Sequence, residues 1–585
     1  MNEIIIGIDL GTTNSEVAVV QNGKVVVIED ASGHKILPSF VGIDDNGEIL
    51  VGQPAKNQYA LYPERTVKSI KRRMGESVTV EMADQAYSPQ EISAIILKRL
   101  KAIAEDYLGQ PVRKAVITVP AYFSDTQRQA TREAGEIAGL EVVRMINEPT
   151  AAALSYKSDQ KDHKRVLVYD LGGGTFDVSV VNIEDDVVEV ISSHGNNHLG
   201  GDDFDHEIVA FLLEHMRETH AIELKDSRKA VARLTRAAEQ AKLTLSDEPY
   251  VRIEEEYLAE KNGKPVHLSL ELSRSEYEEM IESYLDETLE AVHIALKDAE
   301  LTASEIDKIL LVGGSTRTPA VRQRLHDELG VEAHSEIHPD LCVATGAAIQ
   351  AAMIGGAKVS TVLVDVTPYT YGTDSLGELD GEPSPFLYVP IIRKNTPLPV
   401  SKSEVFFTVV DGQRRVDVKI YQGEDPDALN NILIGEFIVE GLQDVPEGNP
   451  ILITLNLDLN GVLQVSAKEK ATGLEKHITI ENAISRFEHQ ALQKAHDRIA
   501  AIFGETLTDE ILPDQNNVTD QHHEIVRAHA LIEKAERMLD QASPEDREDM
   551  ANLLETLRDA MAAEDFAALS EAANALSDIL YYLDT

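Results

Sequence analysis

The chain has 585 residues, and its 101 acidic against 54 basic side chains give a formal net charge of −47. That length predicts several folding units with cores of their own, and the negative charge excludes a general binder of nucleic-acid backbones. The single cysteine, Cys342, excludes a disulfide framework or a multi-cysteine metal cluster. With no apolar run long enough to span a membrane and no basic start typical of a secretory signal, the sequence predicts a protein of the reducing cytoplasm.

Residues 1 to about 358 predict an α/β unit. Apolar runs that end at Gly or Asp alternate there with helix-like stretches, which is typical of strands and helices in alternation. The clearest of these predicted strands are Ile4–Asp9, Ala115–Val119, Val166–Asp170 and Ile309–Gly313.

An internal repeat lies within this unit. Ile6–Thr13 reads IGIDLGTT, and Leu167–Thr175 repeats the pattern as LVYDLGGGT. Each copy predicts a strand, a glycine turn and a returning strand. Two similar lobes would then present matching glycine loops across a cleft.

Two glycine loops with Asp and Thr at matching places suit a phosphate clamp. Glycine brings backbone N–H groups close to phosphate oxygens, Thr hydroxyls add donors, and a carboxylate at each strand end can hold a hydrated divalent cation. The sequence has no GxxxxGK[S/T] run, so a P-loop is excluded. The alternative is a pair of hairpin turns selected for backbone geometry alone.

A third glycine turn, Val312–Arg317, follows the strand predicted at Lys308–Leu311. Its glycines would let a nucleoside lie close to the backbone, and the guanidinium of Arg317 could stack on a base. The alternative is an ordinary junction between a strand and a helix. Lys71 has a similar ambiguity, because it could be catalytic or could share a solvated basic face with its two arginine neighbours.

The pattern changes after the α/β unit. Val362–Val364 is too apolar for a tether in water, so we expect it to dock on the α/β unit; the alternative is a strand that belongs permanently to one domain. Up to residue 483 the period becomes two, as in the half-buried strands predicted at Val416–Ile420 and Ile453–Leu459. Asn460-Gly461 then predicts a two-residue hairpin turn before a return strand at Val462–Ser466.

The last part of the chain, from about residue 484, is rich in Ala, Leu, Glu and Gln. It predicts helices, among them Glu524–Gln541 and Glu545–Ala563. Because the helical pattern is interrupted often, a helical bundle or lid fits better than an extended coiled coil.

The sequence resembles the seventy-kilodalton heat-shock chaperone family (Hsp70), DnaK type, over essentially its whole length. The motifs that carry the resemblance are Ile8–Asn14, Val119–Arg128, Ile146–Ala153, Tyr169–Asp177, Leu199–Asp205, Val312–Arg317 and Asp365–Pro368. The resemblance implies an α/β actin-like two-lobed ATPase domain, followed by a β-sandwich peptide-binding domain and an α-helical lid. The expected boundaries are 1–358 for the ATPase domain, 359–366 for a hydrophobic linker, 367–483 for the sandwich and 484–585 for the lid.

The resemblance also implies a site for ATP or ADP with Mg²⁺ and K⁺. Lys71 would reach the γ-phosphate and help to position the attacking water, and Thr175 would lie near the same phosphate. The implied catalytic set is Lys71, Glu148, Asp170, Thr175 and Asp9; the metal set is Asp9, Glu148 and Asp170 for hydrated Mg²⁺, with Asp177 and Asp9 for K⁺. The other implied nucleotide-binding residues are Gly11, Thr12, Thr13, Gly172, Gly173, Gly174, Gly200, Gly201, Glu239, Lys242, Ser246, Gly313, Gly314, Ser315, Arg317 and Asp340.

The same resemblance implies an ATP-dependent chaperone in which slow hydrolysis is coupled to closure of a peptide clamp. The implied coupling residues are Pro120, Arg128, Arg144, Asn147 and Asp365. The implied peptide groove consists of Thr373, Leu376, Phe406, Val409, Val416 and Val418, with Thr373 at a place where an aliphatic residue is expected.

The expected partners are unfolded or extended polypeptide segments, a J-domain co-chaperone and an exchange factor of the GrpE type, with no nucleic acid and no membrane. We expect a monomer that can form transient dimers. Leu243 at the base site, the compact segment Val178–His194 and the lack of a Glu-Glu-Val-Asp end are departures that suggest a shortened, specialised member. Two alternatives come from other classes. One is a phosphotransferase of the sugar-kinase type, which leaves the β-rich and helical parts without a role, and the other is a filament-forming actin relative.

Overall fold

The structure is a computed structural model that describes residues 4–156, 164–184, 187–334, 338–357, 362–379, 381–459, 461–470, 472–479, 489–503 and 544–563, with scattered positions between 528 and 576. The chain divides into two units, Met1–Glu505 and Thr506–Thr585, and each is described by itself. Within the first unit we distinguish a first lobe (residues 5–156), a second lobe (164–354) and a β region (369–479).

The first lobe alternates strands and helices, as the sequence pattern predicts. Its elements are β1 (Ile5–Leu10), β2 (Asn14–Gln21), β3 (Lys24–Val27), β4 (Leu37–Pro38), β5 (Val41–Ile43), β6 (Ile49–Val51), α1 (Gln53–Tyr59), β7 (Thr66–Val67), β8 (Val80–Met82), β9 (Gln85–Tyr87), α2 (Pro89–Leu108), β10 (Lys114–Val119), α3 (Asp125–Ile137), β11 (Glu141–Asn147) and α4 (Glu148–Tyr156). The main sheet has the order β11-β10-β1-β2-β3, in which β1 runs parallel to β10 and antiparallel to β2. Capping boxes at Ser88 and Ser124 fix where α2 and α3 begin.

The second lobe repeats this topology. Its elements are β12 (Lys164–Leu171), β13 (Phe176–Glu184), β14 (Val187–Asn196), α5 (Gly201–His220), α6 (Arg228–Asp247), β15 (Tyr250–Lys261), β16 (Lys264–Ser273), α7 (Arg274–Met280), α8 (Glu282–Asp298), β17 (Lys308–Val312), α9 (Pro319–Leu329), β18 (Ala333–His334) and α10 (Cys342–Ile354). The main sheet has the order β18-β17-β12-β13-β14, again with a parallel pair beside an antiparallel hairpin. The predicted internal duplication is therefore confirmed.

The apolar segment after the second lobe forms a strand of its own, β19 (Val362–Val364). It pairs in parallel with β14 at the edge of the second-lobe sheet, with Leu363 opposite Val188. The backbone groups of this edge are satisfied by the pairing, and Leu363 packs against a core cluster of the α/β unit. In this structure β19 is therefore docked on the second lobe of the α/β unit, as expected.

Helix α10 joins the two lobes by close backbone contacts. A Cβ atom at Gly7 on β1 would lie 2.2 Å from the backbone nitrogen of Ala348, and one at Gly346 would lie 1.8 Å from the carbonyl oxygen of Ala151 on α4. Only glycine permits approaches of this kind. The second-lobe helix α10 is thus held against β1 and α4 of the first lobe.

The β region consists of antiparallel strands and follows β19. These strands are β20 (Tyr371–Leu379), β21 (Glu382–Ile392), β22 (Val400–Phe407), β23 (Arg415–Gln422), β24 (Ile432–Glu440), β25 (Pro450–Leu457), β26 (Leu463–Glu469) and β27 (Glu475–Thr479). They form two four-stranded sheets, β21-β20-β23-β24 and β22-β25-β26-β27. One core takes side chains from both sheets, for example Ile420 from the first and Leu455 from the second.

The two-residue turn expected at Asn460-Gly461 is wrong. The last pair of the β25–β26 hairpin is Leu457 opposite Leu463, so the loop is longer than the dipeptide. Both leucines are buried in the shared core, and this register is what brings them there together. Gly461 has a φ of 79° and its N–H donates to the Asp458 carbonyl, which closes the longer loop.

Two helices are described beyond the β region. Helix α11 (His489–Ile502) belongs to the first unit and packs on the first lobe: Ile499 lies in the first-lobe core, and Arg498 pairs with Glu91 at 3.0 Å. Helix α12 (Pro544–Ala563) belongs to the second unit and contributes Leu554 and Leu557 to a small core there. The helix predicted at 524–541 lies mostly outside the described residues. Among the described helices, none is long and apolar enough to cross a membrane.

Candidate functional site

The two glycine loops of the repeat lie against each other between the lobes. A Cβ atom at Gly173 would stand 1.8 Å from Oγ1 of Thr13, and one at Gly174 would stand 2.6 Å from Cγ2 of Thr12. Among the described residues, Oγ1 of Thr13 is buried without a hydrogen-bond partner. Bare backbone from one loop therefore faces an unsatisfied hydroxyl from the other, which suits phosphate oxygens as acceptors.

The third glycine turn and the start of α5 meet the same place. The Gly201 N–H donates to the Gly172 carbonyl at 3.0 Å, and Ser315 Oγ donates to that carbonyl at 2.8 Å. Gly313 has a φ of 81°, and a Cβ there would lie 2.4 Å from the Leu171 carbonyl oxygen. The glycine segments singled out from the sequence thus converge at one site.

Each hairpin of the repeat carries a pair of facing carboxylates. The β1–β2 register places Asp9 opposite Glu16, and the β12–β13 register places Asp170 opposite Asp177. Directly opposed residues of an antiparallel pair share one face of the sheet. Oδ1 of Asp9 also accepts a hydrogen bond from Thr118 Oγ1 on β10 at 2.7 Å. The duplication therefore extends to the acidic groups.

Lys71 lies inside the site and not on a solvated basic face. Its side chain is buried, it forms an ion pair with Glu148, and its ammonium lies 5.8 Å from the ring centroid of Phe123. Arg73, two residues further on, is half-exposed and pairs with Glu76 at 3.2 Å. The interpretation of these residues as a solvated basic face therefore applies to Arg73 and is wrong for Lys71.

Burial and mutual repulsion raise the pKa values of these acids. Burial, followed by the charge of Glu148, raises the pKa of Asp9 and of Asp177 to about 7, while Lys71 opposes the shift. The pKa of Asp170 is raised well above its usual range by burial first and then by Glu148. Crowded carboxylates of this kind gain stability when a cation neutralises them.

The acidic set fits a hydrated Mg²⁺ ion. Among the described residues, no three His, Cys, Asp or Glu side chains converge closely enough to bind a metal directly. Mg²⁺ keeps several of its waters and is often held through them beside substrate phosphates. Asp9 and Asp170 are carboxylates that repel Glu148, and oxygen donors of this kind suit a hydrated Mg²⁺ ion.

The residues expected at the nucleoside lie on α6 and face the cleft. Glu239 pairs with Lys56 of the first lobe at 2.7 Å, which closes the cleft from the side of α6. Lys242 Nζ donates to the Gly201 carbonyl at 2.8 Å, and Ser246 Oγ donates to the Lys242 carbonyl at 3.3 Å. Lys242 therefore contacts a glycine segment directly, whereas Glu239 contacts the first lobe and the Ser246 hydroxyl bonds within α6.

Arg317 and Asp340 form an ion pair beside the third glycine turn. Their closest atoms are 2.6 Å apart, and a Cβ at Gly314 would lie 3.2 Å from Asp340 Oδ1. Arg317 is nearly half-exposed, so its guanidinium plane remains accessible to a base. Leu243 on α6 is about half-exposed.

Glu16 and Thr118 are the site residues that the sequence reasoning missed. Glu16 is buried, and burial first and Asp9 next raise its pKa well above the usual range. Its signal was available: the second aspartate of the second hairpin, Asp177, follows Asp170 at the same spacing as Glu16 follows Asp9. Thr118 lies on β10, and its contact with Asp9 depends on sheet order, which the sequence did not reveal.

Asp365, just after β19, is buried in a network of donors. Its Oδ2 accepts from Asn147 Nδ2 at 2.9 Å and from Thr150 Oγ1 at 3.3 Å, and its Oδ1 accepts from the Val366 N–H at 2.9 Å. Burial raises the pKa of Asp365, and the charges of Arg128 and Arg144 are among the effects that oppose the shift.

A continuous row of hydrogen bonds runs from Asp177 towards this network. The Tyr122 N–H donates to Asp177 Oδ1 at 3.0 Å, in the turn that follows Pro120. Arg128 Nη2 donates to the Ala121 carbonyl at 3.0 Å and to Asn147 Oδ1 at 2.7 Å. Asn147 then donates to Asp365, so three of the predicted coupling residues, Arg128, Asn147 and Asp365, are joined to one another and, through the Ala121–Tyr122 peptide, to Asp177.

The predicted groove residues lie at different depths in the β region. Leu376 and Val409 are exposed, whereas Thr373 and Val418 are buried. Phe406 and Val416 are partly buried against the shared core. Thr373 Oγ1 donates to the Lys419 carbonyl at 2.7 Å, so its hydroxyl is used within the sheet.

The fold and the clustered residues define a class: a duplicated α/β protein with a nucleotide-phosphate site between its lobes and a β region attached through a buried linker aspartate. The Hsp70 protein family model matches residues 5–79 and 76–584. Chaperone protein DnaK from Thermotoga neapolitana and from Thermotoga petrophila are each 48% identical to the chain over 486 residues, covering 82% of the chain and 80% of the relative.

The chain belongs to the Hsp70 family. It is accordingly an ATPase and an ATP-dependent molecular chaperone. Members of the family consist of an actin-like ATPase domain with a substrate-binding domain, bind ATP or ADP with Mg²⁺, and act on unfolded polypeptides together with co-chaperones.

Proposed function

We propose that this chain is an ATP-driven clamp for extended apolar segments of unfolded polypeptides. The observation that carries the proposal is the row of hydrogen bonds from Asp177 to Asp365, because it joins the phosphate site to the segment before the β region. ATP would favour the docked linker and rapid peptide exchange, and hydrolysis would favour closure. In this scheme residues 1–358 are the ATPase domain, 359–366 the linker, 367–483 a β-sandwich peptide domain and 484–585 a helical lid.

In the hydrolysis step, the protein supplies positioning and charge compensation and not covalent chemistry. Lys71, held by Glu148, orients a water near the γ-phosphate, and the hydroxyls of Thr12, Thr13 and Thr175 donate to phosphate oxygens. When bound, Mg²⁺ would neutralise the phosphates. The metal and nucleoside residues proposed are those named from the resemblance, with K⁺ assigned to Asp9 and Asp177.

The remaining assignments are part of the same proposal. Pro120, Arg128, Arg144, Asn147 and Asp365 form the coupling route, and a J-domain protein accelerates hydrolysis by acting at Arg144 and Asn147. A GrpE-type factor exchanges the nucleotide. Leu376 and Val409, both exposed, form the arch over the peptide, and the partly or fully buried residues Thr373, Phe406, Val416 and Val418 form its floor. The single cysteine in the chain supports a cytoplasmic location.

The test is the release rate of labelled unfolded peptides of varied composition from the full chain, with and without ATP. The expected result is a release rate at least about tenfold higher with ATP than with ADP. Equal rates in both nucleotides for every peptide would contradict the coupled clamp. Transfer of the γ-phosphate to a small acceptor, in place of free phosphate, would favour the phosphotransferase alternative.

A further inference from the structure

The β region touches the first lobe through two tyrosines that follow the linker. The Tyr369 hydroxyl donates to the Tyr122 carbonyl at 2.6 Å, and the centroids of the two rings are 4.7 Å apart. The Tyr371 hydroxyl donates to Oδ1 of Asp125, the first residue of α3, at 3.0 Å. Both tyrosines therefore join the β region to the first lobe by a hydroxyl, and Tyr369 also does so by its ring.

The Tyr371–Asp125 pair is enclosed by both parts of the chain. Tyr371 is 2% exposed and belongs to the shared core of the β region. Its hydroxyl also accepts a hydrogen bond from Gln422 Nε2 on β23 at 3.2 Å, so the donor to Asp125 is held in place. Oδ2 of Asp125 is buried without a hydrogen-bond partner among the described residues. In such a place an ionised carboxylate with one unsatisfied oxygen costs more free energy than the neutral, protonated carboxyl group.

Four ionisable groups face Asp125. Tyr371 and Tyr369 lie on the segment after the linker, Arg128 lies one turn further along α3, and Asp458 lies on the β25–β26 loop. Burial raises the pKa of Asp125 from 3.8 to about 6; Asp458 adds to the shift, and the Tyr371 hydrogen bond and Arg128 oppose it. The Arg128 guanidinium is already committed to the Ala121, Phe123 and Asn147 oxygens.

We propose that the Tyr371–Asp125 pair makes docking of the β region on the first lobe proton-dependent, with Tyr371 as the positioning residue. The inference deepens the proposed clamp, because docking is the step that ATP would favour. It adds a second input, the pH, to the same movement.

The direction of the pH dependence of docking follows from the burial of the Asp125 carboxyl group. Undocking removes Tyr371 and the loop that bears Asp458, so water reaches Asp125 and its pKa returns towards the ordinary value. The docked form therefore holds a proton more tightly than the undocked form. Docking is strongest below the ordinary pKa and weakens as the pH rises through about 6, the docked value.

The experiment follows docking through β19, which connects the β region to the second lobe. It measures hydrogen-exchange protection of the β19 amides in the full chain with excess ATP, corrected for the intrinsic exchange rate. From about pH 7.5 to about pH 5, protection of the wild-type chain should increase about tenfold. Asp125→Asn should make this increase clearly smaller, because the amide does not titrate and only other buried acids, such as Asp365, still contribute. Tyr371→Phe should weaken docking at the higher pH and keep a pH dependence, because the carboxylate loses its donor. Asp106→Asn, an exposed change on the same lobe, is the matched control and should behave as wild type.

A flat wild-type profile overturns the inference, and this arm needs no variant to fold. Identical profiles for wild type and Asp125→Asn also overturn it. The proposed clamp fails separately, if ATP leaves peptide release unchanged at every pH while β19 protection still follows the pH. Unchanged ATP affinity of the variants shows that the first lobe remains folded.

Discussion

The β1–β2 and β12–β13 hairpins share topology, glycine loops and facing carboxylates, but their surroundings differ. In the first hairpin, Asp9 is supported by Thr118 from the neighbouring strand of its own sheet. In the second, Asp177 accepts from the backbone of Tyr122, which lies in the opposite lobe. The hydrogen bond to Asp9 thus comes from its own lobe, whereas the one to Asp177 comes from the opposite lobe.

This difference shows how two copies of one fold can take different roles. Both hairpins can hold phosphate and metal, because both bring a glycine loop and a carboxylate to the cleft. The contact of Asp177 with the turn after Pro120 continues through Arg128 and Asn147 to the linker. We therefore expect changes at the catalytic residues to abolish hydrolysis, and changes along the hydrogen-bonded route from Asp177 to Asp365 to uncouple hydrolysis from peptide release. Changes at Glu16 and Thr118, which face or bond Asp9 within the first lobe, should have small local effects.

The largest effect is expected at Lys71, whose charge acts on Asp9 of the first hairpin and on Asp177 of the second. Lys71→Ala should lower the kcat of ATP hydrolysis by about a hundredfold or more, because the water near the γ-phosphate loses its orienting charge. ADP affinity, measured by calorimetry, should remain within about threefold. Arg73→Ala is the control, since Arg73 is half-exposed and pairs with Glu76. Normal turnover in Lys71→Ala would refute the assignment of the site.

Asp365→Asn tests the linker end of the hydrogen-bonded route that begins at Asp177. The Asp365 carboxylate now accepts hydrogen bonds from three groups. In the variant, the NH₂ group of the asparagine faces at least one of these donors and loses that hydrogen bond, so docking of the linker should weaken. ATP-triggered peptide release should become about tenfold slower while ATP hydrolysis continues. Stopped-flow release and phosphate production measure the two quantities. Glu378→Gln, an exposed change in the β region, should leave both unchanged, and ATP-triggered release at the wild-type rate in Asp365→Asn would contradict the route.

The facing carboxylates give the most direct comparison of the two hairpins. Asp177→Asn should slow ATP-triggered release about fivefold, whereas Glu16→Gln should change it by less than about twofold. The reason is that Asp177 joins the route to the linker, while Glu16 faces Asp9 within its own hairpin. Equal losses in the two variants would remove the distinction between the hairpins.

The smallest effect is expected at Thr118. Thr118→Val keeps the shape of the side chain and removes the donor to Asp9, so the free energy of unfolding should decrease by about 1 kcal/mol. Nucleotide affinity should change by less than about threefold. Urea denaturation provides the measurement, and Thr235→Val, whose hydroxyl bonds a carbonyl of its own helix, is the matched control. A loss of peptide coupling in Thr118→Val would show that the first hairpin also transmits.

Much of the fold could be predicted from local pattern. The strands at Ala115–Val119 and Val166–Asp170 lie within β10 and β12, and the repeat of Ile6–Thr13 in Leu167–Thr175 corresponds to two sheets of one topology. Alternation of apolar residues and glycine turns is a local property, so the sequence carries it directly. The turn at Asn460-Gly461 was predicted wrongly because core packing of Leu457 and Leu463 selected the register.

The site was predictable in its residue types and less so in its partners. The phosphate loops could be predicted because glycine, aspartate and threonine recur at the same spacing. The burial of Lys71, the Thr118–Asp9 contact and the Tyr371–Asp125 pair join residues far apart in the chain, and no local pattern encodes such distances.

The order of residues by itself determined a duplicated nucleotide fold, an apolar linker and a β region, because periodicity and turn chemistry act over a few neighbouring positions. Tertiary structure decided which carboxylate meets which donor. Those pairings depend on strand order, helix crossing and the docking of β19, where packing and desolvation of distant segments select one arrangement.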